Sequence, residues 1–247
     1  MANLSSAFGQ ITIKTKSIEA IKNLIILQRE FEDKNYYQTE LDSFKLNEIQ
    51  LEKDIDERTF HEKNYFIYDD TFTASGRWSF ESNVECFLNS LEFNKNDSEQ
   101  LRKLKEKCQK EPYEIHFDIN DEEGGNQVLC TAIGSIYYDP NQNVKYYTYD
   151  VTENYDYTVE NLIGLDFYEE GDIMSASYLI DNYDTYFTDK YNHIYAIFIE
   201  NKEEIIKLLK SHPYPDCIYY DLDELIVEHT PLENFLIEKE YYHVINK

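Results

Sequence analysis

Polar and apolar residues alternate from Phe8 to Lys16, with Ile11 and Ile13 on one side, which is the period of a half-buried strand. Ser17 then stands where a helix cap belongs, and Ile18, Ile21, Leu24, Ile25 and Phe31 recur at helical spacing behind it. A second helix is expected from about Leu41 to Glu57, with Leu41, Phe44, Ile49 and Leu51 set among charges. Asn64 to Ser75 reads as a strand. Phe80 to Phe93 reads as a helix that turns Val84, Phe87, Leu88 and Leu91 inward. Asp97 is expected to cap a further helix carrying Leu101 and Leu104, and the lysines 103, 105, 107 and 110 suit its carboxyl end.

The texture changes beyond Glu111. Tyr113 to Asn120 alternates, DEEGGN supplies a turn, Gln127 to Tyr138 is strand-like, DPNQN is a second turn, and Val144 to Val151 completes an antiparallel meander. Behind it come an acidic, aromatic region (Tyr155 to Lys190), an apolar run read as a buried strand (His193 to Glu200), a helix through Lys210, and a strand from Asp216 to His229. The pattern predicts an α+β protein. Its expected division is an α/β domain over residues 1–111 and an acidic, tyrosine-rich α+β domain over residues 112–247.

Charge sharpens that division. The chain has 247 residues and a formal charge of −26. Residues 1–110 hold 16 Lys/Arg against 20 Asp/Glu, a net of −4, whereas residues 111–247 hold 7 against 29, a net of −22. From Glu111 to Asp189 one cation, Lys145, faces 18 carboxylates. Such a surface repels nucleic acid and anionic lipid and attracts a basic protein cleft. With 37 aromatic residues (14 Phe, 1 Trp, 23 Tyr) the acidic part still has apolar surface enough to fold.

No apolar run approaches the roughly 20 residues of a membrane span, and MANLSSAF lacks the basic start and apolar core of a signal peptide, so a cytoplasmic location is expected. Cys86, Cys108, Cys130 and Cys217 are too scattered for a close-paired zinc site, and reduced thiols are expected.

Catalytic signatures are absent. The six histidines form no HExxH pair, and the chain has no GxSxG elbow and no glycine-rich phosphate loop. His116 and Asp118 share a strand face as an acid–base or metal-ligand pair, but a hydrogen-bonded surface pair is the commoner arrangement. DINDEEGGN and DPNQN put no glycine at the sixth position and no glutamate at the twelfth, as a calcium loop needs, and read as hairpin turns. No metal and no cofactor is expected. Gly76, Arg77 and Trp78 read as a turn whose tryptophan either anchors the core or meets a partner.

Two segments carry a resemblance. ITIKTKSIEAIKNLIILQREF, a strand running into an amphipathic helix, and GRWSFESNVECF, a turn feeding another helix, resemble small ferredoxin-like domains of phage and plasmid proteins over Gly9 to Phe93. That resemblance implies a mobile-element origin. The acidic second half resembles DNA-mimic inhibitors of bacterial defence, anti-CRISPR proteins among them.

Mimicry needs carboxylates held like phosphates on a rigid frame, and residues i and i+2 of a strand lie roughly 7 Å apart on one face. The candidate partner-binding residues are Asp118, Asp121, Glu122 and Glu123 at the first turn, Asp139 and Asp150 beside the second, then Glu153, Asp156, Glu169, Glu170, Asp172, Asp181, Asp184 and Asp189. The expected partner is a basic nucleic-acid-binding protein of bacterial host defence, a CRISPR complex or restriction enzyme, with no direct contact to nucleic acid. An immunity protein that neutralises a basic nuclease toxin is the nearest alternative; a metal-dependent enzyme with a carboxylate site is the alternative from another class.

Overall fold

The computed structural model describes residues 4–31, 37–41, 48–77, 80–81, 84–85, 92–187 and 193–239. Among them are seven strands and ten helices in two compact units, residues 1–156 and 157–247. The α+β class holds, but the division falls elsewhere than expected.

The first unit opens with β1 (Leu4–Thr15), α1 (Ile18–Phe31), β2 (Tyr37–Leu41), α2 (Glu48–Arg58), β3 (Thr59–Glu62) and β4 (Tyr65–Arg77). It continues through α3 (Glu99–Cys108) to the meander β5 (Tyr113–Glu123), β6 (Val128–Asp139) and β7 (Val144–Tyr155). All seven strands share one antiparallel sheet in the order β2-β4-β1-β5-β6-β7, with β3 also on β4. A boundary at 111/112 would cut β5 from β1, to which it pairs from Ser5–Glu123 to Thr15–Tyr113. Gly9 sits opposite Ile119 in that pairing, and a side chain on it would drive into the Asp118 carbonyl oxygen.

Strand alternation builds the core. Ile11 and Ile13 of β1, Tyr68 and Phe72 of β4, and Ile115, Phe117 and Ile119 of β5 all point to one side. Ile21, Leu24 and Ile25 of α1, Leu101 of α3 and Phe80 cover them. Ser17 caps α1 as expected, its Oγ accepting from the Ala20 amide at 3.2 Å and donating to Glu111 at 2.8 Å. The cap of α3 is Ser98 rather than Asp97. Asp97 instead holds the buried Lys105 ammonium at 2.8 Å, and Lys105 also donates to the Glu92 carbonyl at 2.7 Å.

Two further expectations shift. The helix expected from Leu41 to Glu57 is β2, ending at Leu41, and α2, beginning at Glu48; residues 42–47 lie outside the described residues. Gly76 and Arg77 are strand residues paired with Ser5 and Leu4, not a turn, and Trp78 lies outside the described residues.

The second unit is helical among its described residues, apart from isolated bridges joining Glu170 to Ile173 and Met174 to Tyr219. Its helices are α4 (Val159–Gly164), α5 (Ala176–Asp181), α6 (Tyr183–Tyr186), α7 (His193–Glu200), α8 (Lys202–Leu209), α9 (Leu222–Glu228) and α10 (Thr230–Glu238). HIYAIFIE is therefore helix, not strand; Phe198 is buried within it, stacked on Phe187 with ring centroids 4.5 Å apart. The strand expected over Asp216 to His229 is replaced by α9. Asp221 caps that helix by accepting from the Glu224 amide, while the Glu224 carboxylate returns to the Tyr220 amide.

No helix among the described residues is long and apolar enough to cross a membrane. Cys108 and Cys130 are buried free thiols, and Cys217 is free and exposed.

Candidate functional site

The same alternation that fills the core leaves the other side of the sheet facing outward. Register fixes its rows. One runs Thr12, His116, Ser135, Thr148; a second runs Lys14, Glu114, Tyr137, Tyr146; a third runs Gln10, Asp118, Ile133, Asp150.

At the centre is a hydrogen-bonded chain. Lys14 Nζ meets Glu114 Oε2 at 3.2 Å, Glu114 Oε1 meets His116 Nε2 at 2.9 Å, and His116 Nδ1 meets Ser135 Oγ at 2.8 Å. His116 therefore pairs with Glu114, two residues before it, and not with Asp118, two residues after. Glu114 was missed as its partner although the spacing is the same; Ser135 required the β5–β6 register. With Nε2–H directed to Glu114, Nδ1 accepts from the Ser135 hydroxyl, as in a nucleophile–base–acid arrangement. The setting lacks the rest of that machinery. Ser135 lies inside β6, whose backbone is committed to β5 on one side and β7 on the other, so no neighbouring amides are free to stabilise an oxyanion. Among the described residues, no group of three or more His, Cys, Asp or Glu stands together as a metal-binding set.

The candidate carboxylates divide by burial. Asp118, Asp150, Glu153 and Asp156 are exposed. Asp118 and Asp150 lie on either side of Ile133, itself 48% exposed, in a single row. Two strand spacings separate them by roughly 10 Å. Tyr137 and Tyr146 stack on the same side two rows away, beyond His116, Ser135 and Thr148, with centroids 5.4 Å apart. Lys145, the sole cation of the meander, is held by Glu92 at 2.9 Å.

Asp121, Glu122, Glu123 and Asp139 are buried, which corrects the expectation that they project from exposed turns. β5 continues through Glu123, so the first turn begins only at Gly124. Asp121 falls on the core side and accepts from Ser5 Oγ at 2.9 Å, the Phe80 amide at 3.1 Å and the Tyr149 hydroxyl at 3.1 Å. Glu123 accepts from the Asn126 side chain. Asp139 ties its turn by accepting from the Asn141 amide and the Gln142 side chain. Asp121, Glu123 and Asp139 tie the meander together.

In the second unit, Glu169, Glu170 and Asp172 are exposed around Gly171, whose φ of +103° suits a residue without a side chain. Asp181 is exposed, Asp184 is exposed and meets Lys202 at 2.6 Å, and Asp189 lies outside the described residues.

Charge counted by structural unit is even. Residues 1–156 carry 17 Lys/Arg against 30 Asp/Glu and residues 157–247 carry 6 against 19, a net of −13 in each. The −4 and −22 halves arose because a cut between residues 110 and 111 separates strands of one sheet.

Comparison of the chain with protein-family models, with curated proteins and with solved structures gave no match.

Proposed function

We propose that this chain is a binding protein, not an enzyme, that acts by occupying the nucleic-acid cleft or an adjacent basic surface of a partner protein. The observation that carries the reading is the row Asp118, Ile133, Asp150 on the outward side of the meander, with the stacked Tyr137 and Tyr146 on the same side two rows away. The two outward carboxylates steer a basic surface, while the exposed Ile133 and Tyr146 supply contacts that lose water on docking. Burial of Asp121, Glu122, Glu123 and Asp139 removes them from the interface and moves its centre from the hairpin tips to the sheet face.

The finer fold reading belongs to the same proposal. The connections β1-α1-β2 and β4-α3-β5 each join two strands with a third lying between them, and β2-β4-β1-β5 lie side by side. This supports a ferredoxin-like unit extended by the hairpin β6–β7, with its fourth strand beyond residue 111. A cytoplasmic inhibitor of bacterial defence from a phage or mobile element, directed at a CRISPR complex or restriction enzyme, remains the biological setting proposed for such a surface. Blockade of that kind needs no cofactor.

The test is affinity capture from bacterial lysate on the immobilised chain, run beside a variant carrying Asp118→Lys and Asp150→Lys. A basic protein retained by the first and lost by the second supports the reading. Stable binding of duplex DNA or RNA by the chain alone at physiological salt overturns it.

A further inference from the structure

The last strand of the sheet offers a different mode of recognition. β7 spans twelve residues, ends the strand order, and pairs with β6 and, among the described residues, with no other strand. A terminal strand points half of its backbone donors and acceptors away from the sheet, where they template another strand. Proteins ordinarily blunt such an edge with proline, lysine, shortness or an early bulge.

β7 has little of that protection. It contains no proline, and its one lysine, Lys145, is drawn to Glu92. The register shift comes late: Thr152 falls between the pairs Ala132–Val151 and Thr131–Glu153, leaving residues 144–151 in unbroken register. Tyr146, Thr148, Asp150 and Val151 are exposed.

Charge selects the occupant. Pairing with a second copy would bring together chains of −26 each and set carboxylate-bearing edges against one another. A segment with Lys or Arg at every second position places its cations on the side of Asp118 and Asp150 and its other residues on the side of Tyr147, Tyr149 and Val151. We propose that β7 is a docking edge that takes an extended, Lys/Arg-alternating segment of the partner protein as an added strand. This rests on the reading that the partner is basic, and it names the element of the partner that is bound.

The experiment uses the full chain with a short peptide alternating Lys and Val, the same peptide with every backbone nitrogen methylated, and a Glu/Val analogue. Affinity and backbone hydrogen exchange are both measured. The Lys/Val peptide is expected to bind and to slow exchange in residues 144–151. Methylation, which keeps the charge and removes the donors, is expected to weaken binding by about tenfold or more. Equal binding of the methylated peptide without protection of β7 overturns the edge while leaving the acidic-face reading intact. Absence of Lys/Val binding, or equal protection by the Glu/Val peptide, also overturns the edge. The acidic-face reading fails separately, if the Asp118→Lys, Asp150→Lys variant captures the same protein as the unaltered chain.

Discussion

Tyr149 on β7 donates its hydroxyl to the Asp121 carboxylate on β5 at 3.1 Å, linking two strands that are separated by β6. The same carboxylate takes the Phe80 amide and the Ser5 hydroxyl, so one buried acid joins β1, β5, β7 and the segment entering at Phe80. Its hydrogen bonds therefore serve the fold, which changes what substitution there should do.

Asp121→Ala leaves two hydroxyls and an amide without their acceptor. Each unsatisfied buried group costs about 1–3 kcal/mol, so a loss of about 3 kcal/mol or more is expected. For a chain of this size that lowers the melting temperature by roughly 6–12 °C. Thermal unfolding followed by circular dichroism checks it; an unchanged midpoint would contradict the assigned network.

Burial, opposed by the bonds from Phe80, Ser5 and Tyr149, holds the Asp121 carboxyl above its ordinary pKa of 3.8. The folded state then binds the proton more tightly than the unfolded chain. The stability this contributes is complete below the ordinary carboxylate pKa and is lost as pH rises through the raised one. Chemical denaturation of the wild type and Asp121→Asn across that range should show the wild type losing ground to the variant as pH rises. The opposite slope would contradict the assignment.

Asp70 has a fully buried side chain on β4, where Arg58 at the end of α2 pairs with it and the Tyr68 hydroxyl donates to it at 2.6 Å. Arg58→Met removes the cation from that carboxylate, which keeps the Tyr68 hydroxyl and the Thr71 amide, and breaking a buried pair from one side costs about 3–5 kcal/mol. Because Arg58 is 39% exposed, solvent should hold the loss near the lower end, about 3 kcal/mol. Urea unfolding of Arg58→Met and of the double variant Arg58→Met, Asp70→Asn should show part of the loss recovered in the latter.

In the second unit, the buried rings of His212 and His229 lie 4.8 Å apart. His212 Nδ1 accepts from the Tyr214 amide, and His229 Nδ1 accepts from the Leu232 amide while its Nε2 meets the Leu208 carbonyl. Burial and the neighbouring His229 depress the His212 pKa below 6.5, against Glu228. The unfolded chain thus binds that proton more tightly, and the stability is held above the ordinary histidine pKa and lost as pH falls below it. The protection of amides over residues 202–238, with exchange rates taken relative to the intrinsic rate at each pH, should fall between about pH 7 and 5, and His212→Gln should flatten the dependence.

Much of the sheet is legible in the residues themselves. The meander strands end within a few positions of where alternation and turn composition place them. The alternation that buries Ile115, Phe117 and Ile119 also puts Asp121 inside, but DEEGGN has the composition of a turn and masks the last three residues of β5. α7 was misread because a short, continuously apolar run fits a buried strand and a buried helix equally well. α9 carried a readable signal, Asp221 followed three residues later by Glu224, which marks a helix start. The domain boundary was not readable from charge, since β1 and β5 lie about a hundred residues apart in sequence and only pairing joins them. Nor was the Ser135–His116–Glu114 chain, which depends on register across two strands.

The central claim is that an outward acidic face takes the place of nucleic acid on a basic protein. Its most direct measurement is competition between the chain and duplex DNA or RNA for the captured partner, followed by surface plasmon resonance with wild type and the Asp118→Lys, Asp150→Lys variant. Mutually exclusive binding is expected. Raised salt should slow association strongly and leave dissociation little changed, because screening over a Debye length of about 8 Å removes steering but not buried contacts. Simultaneous binding of chain and nucleic acid to the partner, with the charge-reversed variant binding as well as the wild type, would contradict it.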